Sequence, residues 1–107
     1  MNSSDSTATA RFNFMKIYTL QELQLILQTI PEWSVVNAAI ERKFQFEGFK
    51  QALGFIVQVG VIAEQDNHHP EIINVYNKVV IRLNTHSANA ITSKDVDLAT
   101  KIDAMII

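Results

Sequence analysis

The chain has 107 residues, with nine Lys and Arg against eleven Asp and Glu, and no cysteine. That length fits one domain with one core, and a net charge of −2 at pH 7 gives no electrostatic ground for nucleic acid or an anionic membrane as partner. Disulfide and thiolate chemistry are excluded, an intracellular home is allowed, and no apolar run approaches the ~20 residues of a membrane span.

Residues 1–15 open on Ser, Thr, Ala, Asn and Asp without periodicity. A flexible tail is expected there, ahead of a single domain over 16–107. With no apolar h-region it is no secretory signal. Thr19-Leu20-Gln21-Glu22 reads as a capping box. Leu20, Leu23, Ile26, Leu27 and Ile30 follow at helical spacing, and Pro31 ends the segment, so a helix is predicted from Leu20 to Thr29. Trp33 to Ala38 and Ala39 to Phe46 read as two strands joined near Asn37-Ala38, where the turn chemistry is weak.

Phe49, Ala52, Leu53, Ile56, Val59, Gly60 and Ala63 make one apolar stripe on a long helix from Glu47 to about Asp66. Phe55, Val57 and Ile62 fall off it and suggest a second packed face. Asn67 is a plausible left-handed stop. Ile72 to Tyr76 and Val79 to Thr85 form a second predicted hairpin, joined at Asn77-Lys78. In its second strand Val79, Ile81, Leu83 and Thr85 share one face, while Val80, Arg82, Asn84 and His86 share the other. Thr92-Ser93-Lys94-Asp95 opens a last helix. The order α-β-β-α-β-β-α implies an α+β fold, a four-stranded antiparallel sheet with three helices on one face.

The three histidines are His68, His69 and His86. Pro70 forces His69 into extended backbone and stiffens the junction. Glu64 lies four residues before His68, so a helix reaching that far makes them an acid–base pair. A merely structural His-His-Pro turn is about as plausible on these residues. Three histidines also suggest zinc, but adjacent histidines on extended backbone point apart, so no metal is expected. Gly48, Gly54 and Gly60 match no phosphate loop and read as close-packing positions on the long helix. Tyr76 and Asn77 suit either a ligand contact or a hairpin.

The run Glu64-Gln65-Asp66-Asn67-His68-His69-Pro70-Glu71, then Asn74-Val75-Tyr76-Asn77-Lys78-Val79, then Leu83-Asn84-Thr85-His86, and finally Asp95, resembles the pterin-4a-carbinolamine dehydratase family. The resemblance runs from about Leu20 to Met105 and takes in Trp33, Phe44-x-Phe46, Phe49 and Gly54-Phe55. It implies the same sheet-and-helix fold, assembled as a homodimer or homotetramer. It implies a hydro-lyase that removes water from 4a-hydroxytetrahydropterin (4a-hydroxytetrahydrobiopterin) to give quinonoid dihydropterin, in tetrahydrobiopterin recycling, with no cofactor. Carried over by position, His68 and His86 would be the acid–base groups and His69 would orient the pterin or share the proton work. Glu64 would tune His68, Asp95 would orient His86 or bind the pterin edge, and Pro70 and Tyr76 would support the site. Some members of this family also act as dimerisation cofactors of a homeodomain transcription factor, which is the alternative function. A cytoplasmic location is expected, with the nucleus open under that alternative. The chain departs from the family pattern at Ile72, where an aromatic residue is common, and in Ser87–Ile91, which lacks glycine. A left-handed residue in that loop would have to be Asn89.

Overall fold

The computed structural model describes residues 15–106. The tail expected over 1–15 lies outside them except for Met15. From Lys16 onward the chain is tied in: Lys16 N–H donates to Ser93 Oγ, and Ser93 N–H donates to the Lys16 carbonyl.

Helix α1 (Leu20–Ile26) starts on the predicted capping box. Thr19 Oγ1 accepts from Glu22 N–H, and Glu22 Oε1 accepts from Thr19 N–H at 2.9 Å. The latter bond, then Lys16, holds the Glu22 carboxyl below its usual value. The helix tightens into a 3₁₀ turn at Leu27–Thr29, and Leu23 and Ile30 reach the core. Leu20, at the exposed first position, does not.

Strands β1 (Ser34–Val36) and β2 (Ala39–Gln45) form the first hairpin, and β3 (Glu71–Val75) and β4 (Lys78–Leu83) the second. All pairing is antiparallel, in the order β1-β2-β4-β3. The first turn places both Asn37 (φ 48°) and Ala38 (φ 65°) in the left-handed region. Such a loop suits the right-handed twist of a hairpin, but an alanine there costs roughly 1–2 kcal/mol. Neighbouring bonds offset the strain. Asn84 Nδ2 donates to the Ala38 carbonyl at 2.6 Å, and Arg82 donates to the Val36 carbonyl at 3.1 Å.

The second turn falls one residue earlier than expected, on Tyr76 (φ 52°) and Asn77. The Asn side chains decide this register. Asn74 Nδ2 donates to the carbonyls of Tyr76 and Lys78, and Asn77 Nδ2 donates to the Phe46 carbonyl.

Helix α2 (Phe49–Asp66) covers one face of the sheet, and α3 (Ser93–Ala104) packs beside it. The buried face of α2 is Ala52, Phe55, Val59 and Ala63. This corrects the predicted stripe, which left out Phe55 and included the exposed Phe49, Leu53 and Gly60. The cause is the large Phe55 ring, whose centroid lies 4.7 Å from Phe44 and 5.0 Å from Phe46. An aromatic ring buries far more surface than glycine, so it sets the helix rotation. Gly54 and Gly60 are not close-packing positions either, since a Cβ on each would meet nothing within 4 Å.

The sheet's inner face contributes Ile40, Phe44, Val79, Ile81 and Leu83 to the core, as strand alternation predicts. Trp33 is buried just before β1, and its indole N–H donates to Asp103 Oδ1 at 2.9 Å. Arg42 pairs with the same oxygen at 2.6 Å and lies 4.5 Å over the Phe44 ring. Those contacts fasten the end of α3 to β2. No helix among the described residues is long and apolar enough to cross a membrane.

Candidate active site

The loop after α2 decides where two of the histidines go. Asn67 turns left-handed (φ 50°), and the His68 N–H donates to the Ala63 carbonyl. This helix-closing turn swings His68 beneath the helix end, while the trans-linked Pro70 leads His69 out into β3.

The two neighbours therefore meet opposite environments. The His68 side chain is 10% exposed, and its Nε2 lies 2.6 Å from Oδ1 of the fully buried Asp95. The His69 side chain is 60% exposed, and its Nε2 lies 2.8 Å from Glu64 Oε1. The expected Glu64–His68 pair is thus corrected. Helical i, i+4 spacing stops at Asp66, and Glu64 reaches the next histidine instead. Asp95 is likewise corrected. It holds His68 rather than His86, and its complete burial keeps it from any ligand.

Asp95 accepts three hydrogen bonds. Besides His68, Oδ2 takes the Thr85 hydroxyl at 2.8 Å and the Thr92 backbone N–H at 2.8 Å. The last is half of the α3 capping box. A buried carboxylate with this many donors is satisfied.

His86 follows Thr85 beyond the end of β4. Thr85 and Ala90 exchange backbone bonds, and the loop between them turns at Asn89 (φ 50°), the left-handed residue expected there. His86 is exposed at the start of that loop, its side chain on the opposite side from the buried Thr85.

His69 and His86 line one cavity of about 190 Å³. Glu71, Arg82 and Asn84 complete it with the Asn37–Ala39 turn. Arg82 bridges Glu41 at 2.7 Å and Glu71 at 3.0 Å. These bonds, that from Glu41 foremost, raise its pKa above the ordinary arginine value, so the guanidinium is a permanent cation. Sequence analysis placed Arg82 and Asn84 on the His86 face of the strand but assigned neither to the site. Their signal was the strand alternation that put both on the His86 face.

His68 does not line this cavity. It borders a larger cleft of about 610 Å³ between α2 and α3, with Asp66, Lys94, Asp97, Thr100 and Lys101. That cleft is bigger, but it carries one candidate residue, buried and already engaged, among surface charges such as the Lys101–Asp66 pair. The smaller cavity joins two exposed imidazoles from separate loops to fixed polar walls, which is the better arrangement for proton transfer. Tyr76 is at neither. It sits at the opposite end of β3 from Glu71, roughly 16 Å away at the rise of a strand. Its left-handed backbone serves the turn. Among the described residues no group of three His, Cys, Asp or Glu side chains is placed to hold a metal ion.

The family model for pterin 4 alpha carbinolamine dehydratase matches residues 16–105. A Burkholderia multivorans protein provisionally named pterin-4-alpha-carbinolamine dehydratase is 43% identical over 89 residues, covering 81% of this chain and 87% of that protein. A Sulfurisphaera tokodaii protein of the same provisional name is 42% identical over 92 residues, covering 86% and 99%. A crystal structure from Brucella melitensis, described as a transcriptional coactivator/pterin dehydratase, superposes with a TM-score of 0.79 at 39% identity, covering 82% of this chain and 96% of its own. With the sheet order, the helix order and the matched span in agreement, this chain belongs to the pterin 4 alpha carbinolamine dehydratase family.

Proposed function

We propose that this protein dehydrates a 4a-hydroxytetrahydropterin, 4a-hydroxytetrahydrobiopterin in the first instance, to quinonoid dihydropterin and water. The observation that carries it is the convergence of His69 and His86 on one polar cavity. The C4a–O bond breaks as an acid protonates the departing oxygen. A base takes the proton from the ring nitrogen as the C=N bond forms. Imidazole does both near neutral pH. The two exposed histidines are the groups that touch the pterin, one as acid and one as base. His68, first expected as an acid–base group, takes a supporting place behind them. Asn84, Glu71 and the Asn37–Ala39 backbone offer the hydrogen bonds a pterin edge needs. Tetrahydrobiopterin recycling is the pathway this chemistry suits.

The test is the rate of 4a-hydroxytetrahydrobiopterin dehydration by the purified protein in chelator, beside His69→Ala and His86→Ala. Turnover above the spontaneous rate is expected, with each variant losing about 100-fold or more, the usual weight of one acid–base group. A wild-type rate no faster than the spontaneous reaction overturns the proposal, and so do two variants of full activity.

A second surface favours self-association. Phe49, Leu53, Val57 and Val61 recur every four residues along the outer side of α2 and are all exposed. An apolar row of this kind marks a protein contact. A homodimer or homotetramer is proposed. A transcription-factor partner, in line with the coactivator description of the Brucella protein, is the competing occupant.

A further inference from the structure

His69 and His86 both lie beyond the paired part of the sheet. The last β3–β4 pair at that end is Glu71 with Arg82. His69 precedes it by two residues and His86 follows it by four, so the strand ladder leaves their separation unset. A buried polar chain spans the gap instead. Lys94 N–H donates to Thr92 Oγ1 at 3.2 Å. The Thr85 hydroxyl gives its one hydrogen to Asp95 Oδ2, so the 2.7 Å contact between the two threonine hydroxyls must be Thr92 donating to Thr85. Asp95 Oδ1 then receives the His68 ring at 2.6 Å. Helix capping accounts for Oδ2 and the Thr92 N–H. It does not account for Oδ1 on His68, nor for the Thr85 hydroxyl.

We propose that Thr85 is a positioning residue of the site: its hydroxyl holds Asp95 and, through it, the His68 ring next to His69, while its backbone bonds to Ala90 hold the loop that carries His86. One residue thereby links the two histidine-bearing loops, and alternation along the chain sends its own side chain inward and His86 outward. With Asp95 as a carboxylate, an acceptor only, the contact requires the proton on His68 Nε2, and a neutral ring then carries none on Nδ1. The kinetic consequence rests on the dehydratase proposal, whereas the hydrogen-bond chain does not.

The experiment compares wild type with Thr85→Val, close in size but without the hydroxyl, and with Thr85→Ser, which keeps it. Imidazole ¹⁵N–¹H correlation spectra above the titration range of histidine should show His68 protonated at Nε2. In Thr85→Val the ring signals of His68 and His69 should shift, and in Thr85→Ser they should return. Well below the melting temperature, kcat of Thr85→Val should fall about tenfold, the scale of one hydrogen bond to a charged group. KM should stay within about twofold, and Thr85→Ser should recover the rate. A wild-type His68 protonated at Nδ1 overturns the proposal. So does a Thr85→Val protein with unshifted rings and native kcat. Should Thr85→Val not fold, the wild-type tautomer and Thr85→Ser decide, because a tenfold loss in the serine variant assigns the role to the methyl group. Should the wild type show no turnover, that failure belongs to the proposed reaction, and the ring spectra alone judge Thr85.

Discussion

Neighbouring histidines with different partners respond differently when those partners are neutralised. Asp95→Asn sets an amide NH₂ among groups that already donate, from Thr85, Thr92 and His68. A buried mismatch of this kind costs about 1–3 kcal/mol, so a lowered melting midpoint and a sharp loss of dehydratase rate are expected together. Glu64→Gln acts on a pair whose carboxylate is mostly in water. Exposed pairs of this kind contribute little, so its melting midpoint should match wild type and its rate should stay within about twofold. A Glu64→Gln variant as damaged as Asp95→Asn would show that the exposed pair, not the buried one, governs the site. The three histidines and Glu64 stood out as candidates because few residue types suit proton transfer, and Asp95 was named from the family resemblance. Their pairing was not. It turns on the left-handed Asn67, which ends the helical spacing one residue before His68.

Helix α2 shows the same contrast among elements. Its existence and its stop at Asn67 follow from periodicity and from the tolerance of asparagine for positive φ. Its rotation does not, because apolar residues occur almost all round it and the winning face depends on which ring meets Phe44 and Phe46. The glycines on its outer side lend themselves to measurement. Gly60→Ala adds a methyl with open space around it and removes the conformational cost of glycine in a helix. It should raise stability by about 0.5–1 kcal/mol in chemical denaturation. A loss instead would mean that another chain packs its backbone against this position. The β4 alternation was fully legible, since burial of Val79, Ile81, Leu83 and Thr85 obeys a period of two. The hairpin turn beside it was placed one residue late, because three side-chain bonds from Asn74 and Asn77 outweigh the preference of an Asn-Lys pair.

For the whole molecule, element order sufficed to give the sheet and the side on which the helices lie, since two hairpins and three amphipathic helices have few ways to bury their apolar faces. Assembly was only half legible. Surplus apolar residues on the long helix were noticed, but Phe55 and Ile62 proved to face or border the core. The exposed row is Phe49, Leu53, Val57 and Val61. Val57→Glu places a charge in the middle of that row. Sedimentation should show wild type as a dimer or tetramer and the variant as a smaller species with unchanged secondary structure. A wild type that is monomeric at tens of micromolar would reserve the row for a different protein.

The consecutive placement of Thr85 inward and His86 outward makes this part of the chain sensitive to length more than to identity. Adding or deleting one residue between Lys78 and Thr85 would exchange the two faces, carrying the histidine into the core and the hydroxyl into the cavity. Adding or deleting two would restore the parity. The loop from Ser87 to Asn89 lies past that point, so a change in its length leaves the inward–outward parity of Thr85 and His86 as it is.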